Sequence, residues 1–166
     1  MLNRYAVIYW ESKINAMRNI SIPKLEFSTW YKWENRNQYP LKNYPGVYLI
    51  SISNKNDLEG NKPQFKDVVY IGMTNSQGGL AGRWNQFNNS IKGKNRHSGG
   101  NTIYKEKGSY VNWKDWLYVA AMGIESNVKK PKEEDYIKMG WVAFLEYEAF
   151  ARYYSKERSH PKYNKK

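Results

Sequence analysis

The chain contains no cysteine and only two histidines among its 166 residues. Disulfides, thiolate metal sites and a nucleophilic cysteine are therefore excluded, and histidine is too scarce for the spaced pairs that hold zinc. No HExxH arrangement occurs. The fragment GKN at 93–95 lacks the upstream glycine and the following Ser/Thr of a phosphate-binding P-loop. Long apolar runs are missing too: the longest, Trp116–Met122, falls far short of the roughly 20 residues needed to span a bilayer. The N-terminal stretch MLNRYAVIYWESK has neither the long apolar segment nor the small-residue cleavage site of a signal peptide. These absences point to a cytoplasmic protein. Acidic residues are also in short supply, with 15 Asp and Glu against 27 Lys and Arg, a formal net charge of +12.

That excess of positive charge marks a protein that meets a polyanion. An anionic membrane surface is the rival partner, but no long basic amphipathic helix with a clean apolar face is present. Aromatics make up 16% of the chain, with 15 Tyr and 7 Trp, enough to stack on bases as well as to fill a core. Nucleic acid is the better reading. The length suits one domain with a real core.

Residues 1–45 form a basic, aromatic N-terminal extension, with seven Lys/Arg against three Glu. A sharper pattern starts at 46. GVYLISIS (46–53) alternates loosely and reads as a strand, and FKDVVYIG (65–72) as a second, paired with it as a hairpin across the turn-prone NKNDLEGNKPQ. GLAGRWNQFNNSI (79–91) predicts a helix with Leu80, Trp84 and Phe87 on one face. A polar, basic, glycine-containing insertion follows at 88–115, then a third strand in DWLYVAAMGI (115–124). Pro131 with acids just behind it predicts a helix start, since carboxylates favour the positive end of a helix. Gly140 is a point at which that segment could divide into two helices. Pro161 ends helical structure. The order strand, strand, helix, strand, helix predicts a small α/β (α+β) sandwich whose three-stranded, mostly antiparallel sheet is flanked by helices.

With cysteine and histidine chemistry removed, tyrosine, arginine and glutamate remain. A phenol near pKa 10 can orient or deprotonate water when a cation favours its phenolate. Arginine presents a fork that grips phosphate oxygens. A lone carboxylate can hold one Mg²⁺, which keeps most of its waters. Together these suffice for hydrolysis of a phosphodiester.

The residues resemble a known family at this point. Gly46-Val47-Tyr48 and Tyr70-Ile71-Gly72 look like the two signatures of the GIY-YIG nucleases. The likeness continues in order through Arg83 in the first helix, a glutamate in a later helix, and Asn164 in a P-x-Y-N tail (Pro161 to Asn164). The resemblance implies that Tyr70 or Tyr48 activates the attacking water, that Arg83 holds the scissile phosphate, that the glutamate binds Mg²⁺ (or Mn²⁺), and that Asn164 braces the site. Glu146 is preferred to Glu148 as metal ligand, because Leu145-Glu146 followed by Ala149-Phe150 fits the family pattern and shares a face with Val142 and Tyr153. Two departures stand out. Phe87 occupies the place, one helical turn after the arginine, where many members carry His or Tyr, and Met73 follows the YIG glycine where some have lysine. Either the remaining groups suffice or His97 enters from the insertion. Each of these residues also has a plainer reading as a strand aromatic, a helix-surface charge or a loop side chain.

The resemblance implies a Mg²⁺-dependent DNA endonuclease leaving 5′-phosphate and 3′-hydroxyl ends on double-stranded DNA. With little chain after Asn164, recognition is expected from residues 1–45 or the 88–115 insertion. There Lys92, Lys94, Arg96, His97 and Lys105 form a candidate clamp on the backbone. The stand-alone layout is most similar to the family's type II restriction enzymes, with a possible homodimer. The competing expectations are a weakly specific phage or mobile-element nuclease, and a non-catalytic nucleic-acid-binding protein of the same fold.

Overall fold

The computed structural model describes residues 21–94 and 96–164. Four antiparallel strands form one sheet, β1 (Tyr31–Lys32), β2 (Gly46–Ile52), β3 (Val68–Thr74) and β4 (Leu117–Gly123), in the order β1-β4-β2-β3. Among the described residues, three α-helices accompany them: α1 (Gly79–Ile91), α2 (Ser98–Lys107) and α3 (Glu133–Glu157). The architecture is α+β. The hairpin of β2 with β3, the helix after it and the central strand β4 match the expected elements, but the expected three-stranded sheet does not hold. A fourth strand, β1, comes from the segment expected to be an extension, and an extra helix, α2, lies inside the insertion.

The loose alternation of β2 has a simple cause: both faces of the sheet are covered, so both sets of side chains are apolar. Val47, Leu49, Ile71 and Ala120 face one core, closed by Val142, Leu145, Ala149 and Phe150 of α3. Tyr48, Ile50, Tyr70, Val119 and Ala121 face the other, closed by Leu80, Trp84, Phe87 and Ile91 of α1 and Ile103 of α2. Part of the expected extension belongs to these same cores, its residues 1–20 lying outside the described ones. Trp30 joins the first, and Trp33 and Tyr39 the second. Trp33 packs on Phe87 with ring centroids 5.2 Å apart and donates from Nε1 to Asn88 Oδ1 at 3.0 Å.

The division at Gly140 does not occur. Glycine inside a helix costs about 1 kcal/mol relative to alanine. Each large apolar side chain buried by α3 recovers roughly 1.5–3 kcal/mol, and four lie close beyond Gly140: Val142, Leu145, Phe150 and Tyr153. Packing outweighs propensity, and α3 runs unbroken for 25 residues. Pro131 lies just outside the helix. Lys132 is the N-cap, and Asp135 accepts backbone N–H bonds from Lys132 at 2.9 Å and Asn127 at 2.7 Å. Among the described residues, no helix is long and apolar enough to cross a membrane.

Beyond α3 the tail returns to β3, which is an edge strand. At the register shift between Ile50 and Ser51 of β2, Val69 drops out of the ladder, and its carbonyl accepts the Tyr163 N–H at 3.0 Å. Edge strands need such covering to avoid pairing with other chains.

Candidate active site

Tyr48 and Tyr70 project from neighbouring strands onto the α1–α2 side of the sheet, with ring centroids 6.1 Å apart. Directly across the ladder from Tyr48 stands Gly72. A Cβ there would fall 2.7 Å from Tyr48 Cζ and Oη and 2.8 Å from Tyr70 Cε1. The glycine of Tyr70-Ile71-Gly72 is thus the space into which Tyr48 folds to reach Tyr70. Gly99 plays the same part from above, since a Cβ there would lie 2.4 Å from Tyr70 Cε2. Glycine in the first turn of α2 allows that helix to settle face-on against the Tyr70 ring.

His97 closes this group from above. It is 3% exposed and is the N-cap of α2, its Nδ1 accepting the Gly100 N–H at 3.3 Å. Its Nε2 lies 3.0 Å from Tyr48 Oη. The imidazole stands edge-on to Tyr70 (5.5 Å between centroids) and to Phe87 (5.3 Å). The departure at Phe87 therefore has a structural counterpart: the ring that cannot move a proton forms the wall against which a histidine from α2 is seated. Burial, with the positive charge of Arg83, pushes the His97 pKa down to about 4, so the ring is neutral near pH 7.

Arg83, on α1, donates from Nη1 to Gln86 Oε1 at 3.0 Å. Its buried Nε has no hydrogen-bond partner among the described residues. Burial raises the pKa of Tyr48 well above the phenol range, reinforced by Tyr70 and opposed by Arg83 through charge and hydrogen bonding. Burial also raises Tyr70. There Arg83 opposes the shift, as does a hydrogen bond from Tyr48, while the Glu146 carboxylate adds to it.

Glu146 belongs to α3, on the opposite side of the sheet, yet it reaches round the edge strand. It lines a cavity of about 170 Å³ together with Tyr70, Ser98, Gly99, Thr102, Tyr163 and Asn164. Asn164 faces the outer edge of β3, where its side chain pairs with both backbone groups of Ile71 at 2.8 Å. Burial and the Glu106 carboxylate push the Tyr163 phenol far up, and its hydroxyl donates to Glu106 Oε1 at 3.0 Å. Glu148 is placed differently: it forms an ion pair with Arg152 one turn along the helix.

Among the described residues, no cluster of three or more His, Asp or Glu side chains could cage a metal. The cavity offers one carboxylate in an oxygen-rich wall. That set fits Mg²⁺ or Mn²⁺, hard cations that bind through one or two carboxylates and keep their waters, and not zinc, which wants nitrogen and sulfur.

Tyr70, Glu146 and Asn164 line one cavity, Tyr48 packs beside Tyr70, and the charge of Arg83 acts on both phenols. The fold separates His97 from the basic group in which it was expected: Lys92, Lys94, Arg96 and Lys105 are exposed on the α1–α2 connection and on α2, whereas His97 points inward, where no phosphate backbone can reach it. Lys92 Nζ stands 5.0 Å over the Tyr110 ring, and the Arg96 N–H donates to Ser90 Oγ at 2.9 Å. Searches against protein-family models, curated proteins and solved structures found no match.

Proposed function

We propose that the protein is a metal-dependent DNA endonuclease of the GIY-YIG type, hydrolysing phosphodiester bonds in double-stranded DNA to 5′-phosphate and 3′-hydroxyl ends. One observation carries this reading. Tyr70 and Glu146 leave opposite sides of the sheet and meet in a single small cavity at the edge of β3, and Arg83 acts electrostatically on the same phenol. A purely structural tyrosine has no need of a carboxylate beside it in one cavity and of a guanidinium charge acting on it.

The roles follow from position. Tyr48 is fully buried and cannot touch solvent, while Tyr70 lines the cavity. Tyr70 is therefore the residue that orients the attacking water; in its phenolate form, which the charge of Arg83 favours, it accepts the water's proton and becomes the neutral phenol, and Tyr48 supports it. Arg83 holds the non-bridging oxygens and neutralises the charge that grows on them as the water oxygen bonds to phosphorus. The bond to the 3′ oxygen then breaks, and that oxygen takes a proton from a solvent water and leaves as a hydroxyl. Glu146 would hold Mg²⁺, which lowers the pKa of bound water and stabilises a departing oxygen. Asn164 keeps β3, and so Tyr70, in place. The excess of positive charge supports DNA as partner. A two-fold dimer acting on a palindromic site, as in restriction enzymes, would match the symmetry of the protein to that of the DNA.

Supercoiled plasmid incubated with the protein and Mg²⁺ should be nicked and linearised, and chelator should stop it. Glu146→Gln should abolish cutting while retaining DNA affinity. Arg83→Lys should reduce kcat by about 10²–10³, the usual loss when a charge-stabilising donor is removed. Binding without metal-dependent cutting would leave a nucleic-acid-binding protein. Discrete fragments from long DNA would indicate restriction, and a smear a weakly specific enzyme.

A further inference from the structure

We propose that His97 is a positioning residue that sets the direction of a hydrogen-bond chain: the N-terminus of α2 fixes its tautomer, its Nε2–H donates to Tyr48 Oη, and the Tyr48 hydroxyl proton is thereby turned onto Tyr70. The role assigned to Tyr70 rests on the nuclease reading. The direction of the chain does not.

The argument is an inventory of protons. A neutral imidazole carries one N–H and one lone pair. At Nδ1 the partner is the Gly100 backbone N–H, 3.3 Å away and able only to donate, so Nδ1 must present its lone pair. The single ring proton therefore sits on Nε2, 3.0 Å from Tyr48 Oη. The opposite tautomer would set two N–H groups against each other at Gly100 and strip α2 of its cap. Neutrality itself agrees with the ring's surroundings, where burial and Arg83 both disfavour the imidazolium.

Tyr48 then has no choice either. Its oxygen accepts from His97, and a buried hydroxyl proton left without an acceptor is costly. The group beside it is Tyr70, with ring centroids 6.1 Å apart: the Tyr48 hydroxyl and the Tyr70 ring converge on the space left open at Gly72, and Arg83, whose charge acts on both phenols, can only donate. With that side of its oxygen occupied by an incoming hydrogen bond, Tyr70 turns the free side of its oxygen towards the cavity it lines with Glu146. A backbone amide in one helix thus orders the chemistry on a neighbouring strand. His97, placed one residue outside α2, serves as helix cap and as phenol donor together.

The two functions can be separated. Asn at 97 keeps an acceptor for the Gly100 N–H but has nothing at the Nε2 position, whereas Gln places an amide N–H near that position and surrenders the cap. Long-range ¹H–¹⁵N correlation spectra of the full-length wild type, which has only one other histidine, report the tautomer directly. An Nε2–H imidazole at pH 7 whose Nε2 resonance moves in Tyr48→Phe is expected. An Nδ1–H or doubly protonated ring, or an Nε2 signal indifferent to Tyr48→Phe, overturns the proposal. In plasmid cleavage, His97→Asn should lose ten- to a hundredfold in kcat with KM little changed, and His97→Gln should keep more of the rate than His97→Asn despite a lower melting temperature. If rate instead follows stability, with Asn the better variant, His97 is only a cap and the relay is refuted. If the wild type cuts no DNA at all, the nuclease reading falls, and the tautomer measurement still decides the relay.

Discussion

The side-chain amide of Asn164 forms a two-way pair with the backbone of Ile71: Oδ1 accepts the Ile71 N–H and Nδ2 donates to the Ile71 carbonyl, each at 2.8 Å. The amide takes the place of one residue of a fifth strand. It satisfies an exposed edge and holds the residue between Tyr70 and Gly72. Asn164→Ala leaves both groups of Ile71 unpaired in a part-buried place and should cost roughly 1–3 kcal/mol. Asn164→Asp keeps the acceptor but sets a carboxylate against the Ile71 carbonyl, and should be no more stable than alanine. Urea unfolding measures both, and amide exchange at Ile71 should accelerate. An unchanged midpoint with slow exchange would mean that the tail does not hold the strand.

Two glycines should be intolerant for a steric reason alone. Gly72→Ala pushes a methyl to 2.7 Å from Tyr48 Oη, and Gly99→Ala pushes one to 2.4 Å from the Tyr70 ring. Rigid rings on a packed sheet yield little, so each should destabilise by about 1–3 kcal/mol, the usual penalty of overpacking. Gly140 is the control. A Cβ there meets nothing within 4 Å, and alanine should stabilise α3 by about 0.5–1 kcal/mol. Thermal melts of the three variants check the contrast; equal shifts in all three would show that packing around the tyrosines is loose.

Gly72 and Gly99 also show how far the chain could be read without coordinates. Helix α1 was legible because its apolar residues face one core at helical spacing, and the hairpin because two apolar runs flank a turn-prone segment, although cores on both faces of the sheet blur the alternation of β2. Tyr48, Tyr70, Arg83, Glu146 and Asn164 were legible through a resemblance, and their meeting at one place needed the fold. β1 was not legible: at two residues it is too short to show a period, and only its pairing with Tyr118 and Val119 makes it a strand. Helix α2 was hidden by the Gly-Gly of its first turn, which lowers helix propensity and reads as loop. Those glycines are there for close approach, to Tyr70 and to Ser90. The one available signal was a histidine at the N-cap ahead of them, and its burial against Phe87 depends on contacts between residues distant in sequence.

The exposed cations on the α1–α2 connection predict a salt effect. Lys94 and Arg96 carry charge into solvent beside a helix pair that overlies the site. Replacing both with alanine should weaken binding similarly across DNA sequences. It should also flatten the dependence of log K on log salt by about one unit per lost phosphate contact. Fluorescence anisotropy on two unrelated duplexes at several salt concentrations measures this. An unaltered slope would place these side chains off the DNA backbone.

His97 links the same region to acid stability. In the unfolded chain its imidazole takes a proton near pH 6.5, whereas in the fold it resists until about pH 4. Between those values the unfolded state binds more protons, so stability rises with pH across the window and falls as pH drops through it. The full shift amounts to about 3 kcal/mol, present above pH 6.5 and progressively lost towards pH 4. Carboxylates held below their usual range, among them Asp57 and Asp135, act lower down, because their contribution is lost only as pH falls through values under about 4. The two windows are therefore separable. Unfolding free energies of wild type and His97→Asn, compared at half-unit steps from pH 7.5 to 4.5, should converge as pH falls, since the variant has no imidazole to protonate. If the two curves stay parallel, the folded ring titrates as the unfolded one does, and His97 is not sealed between Phe87 and Tyr70.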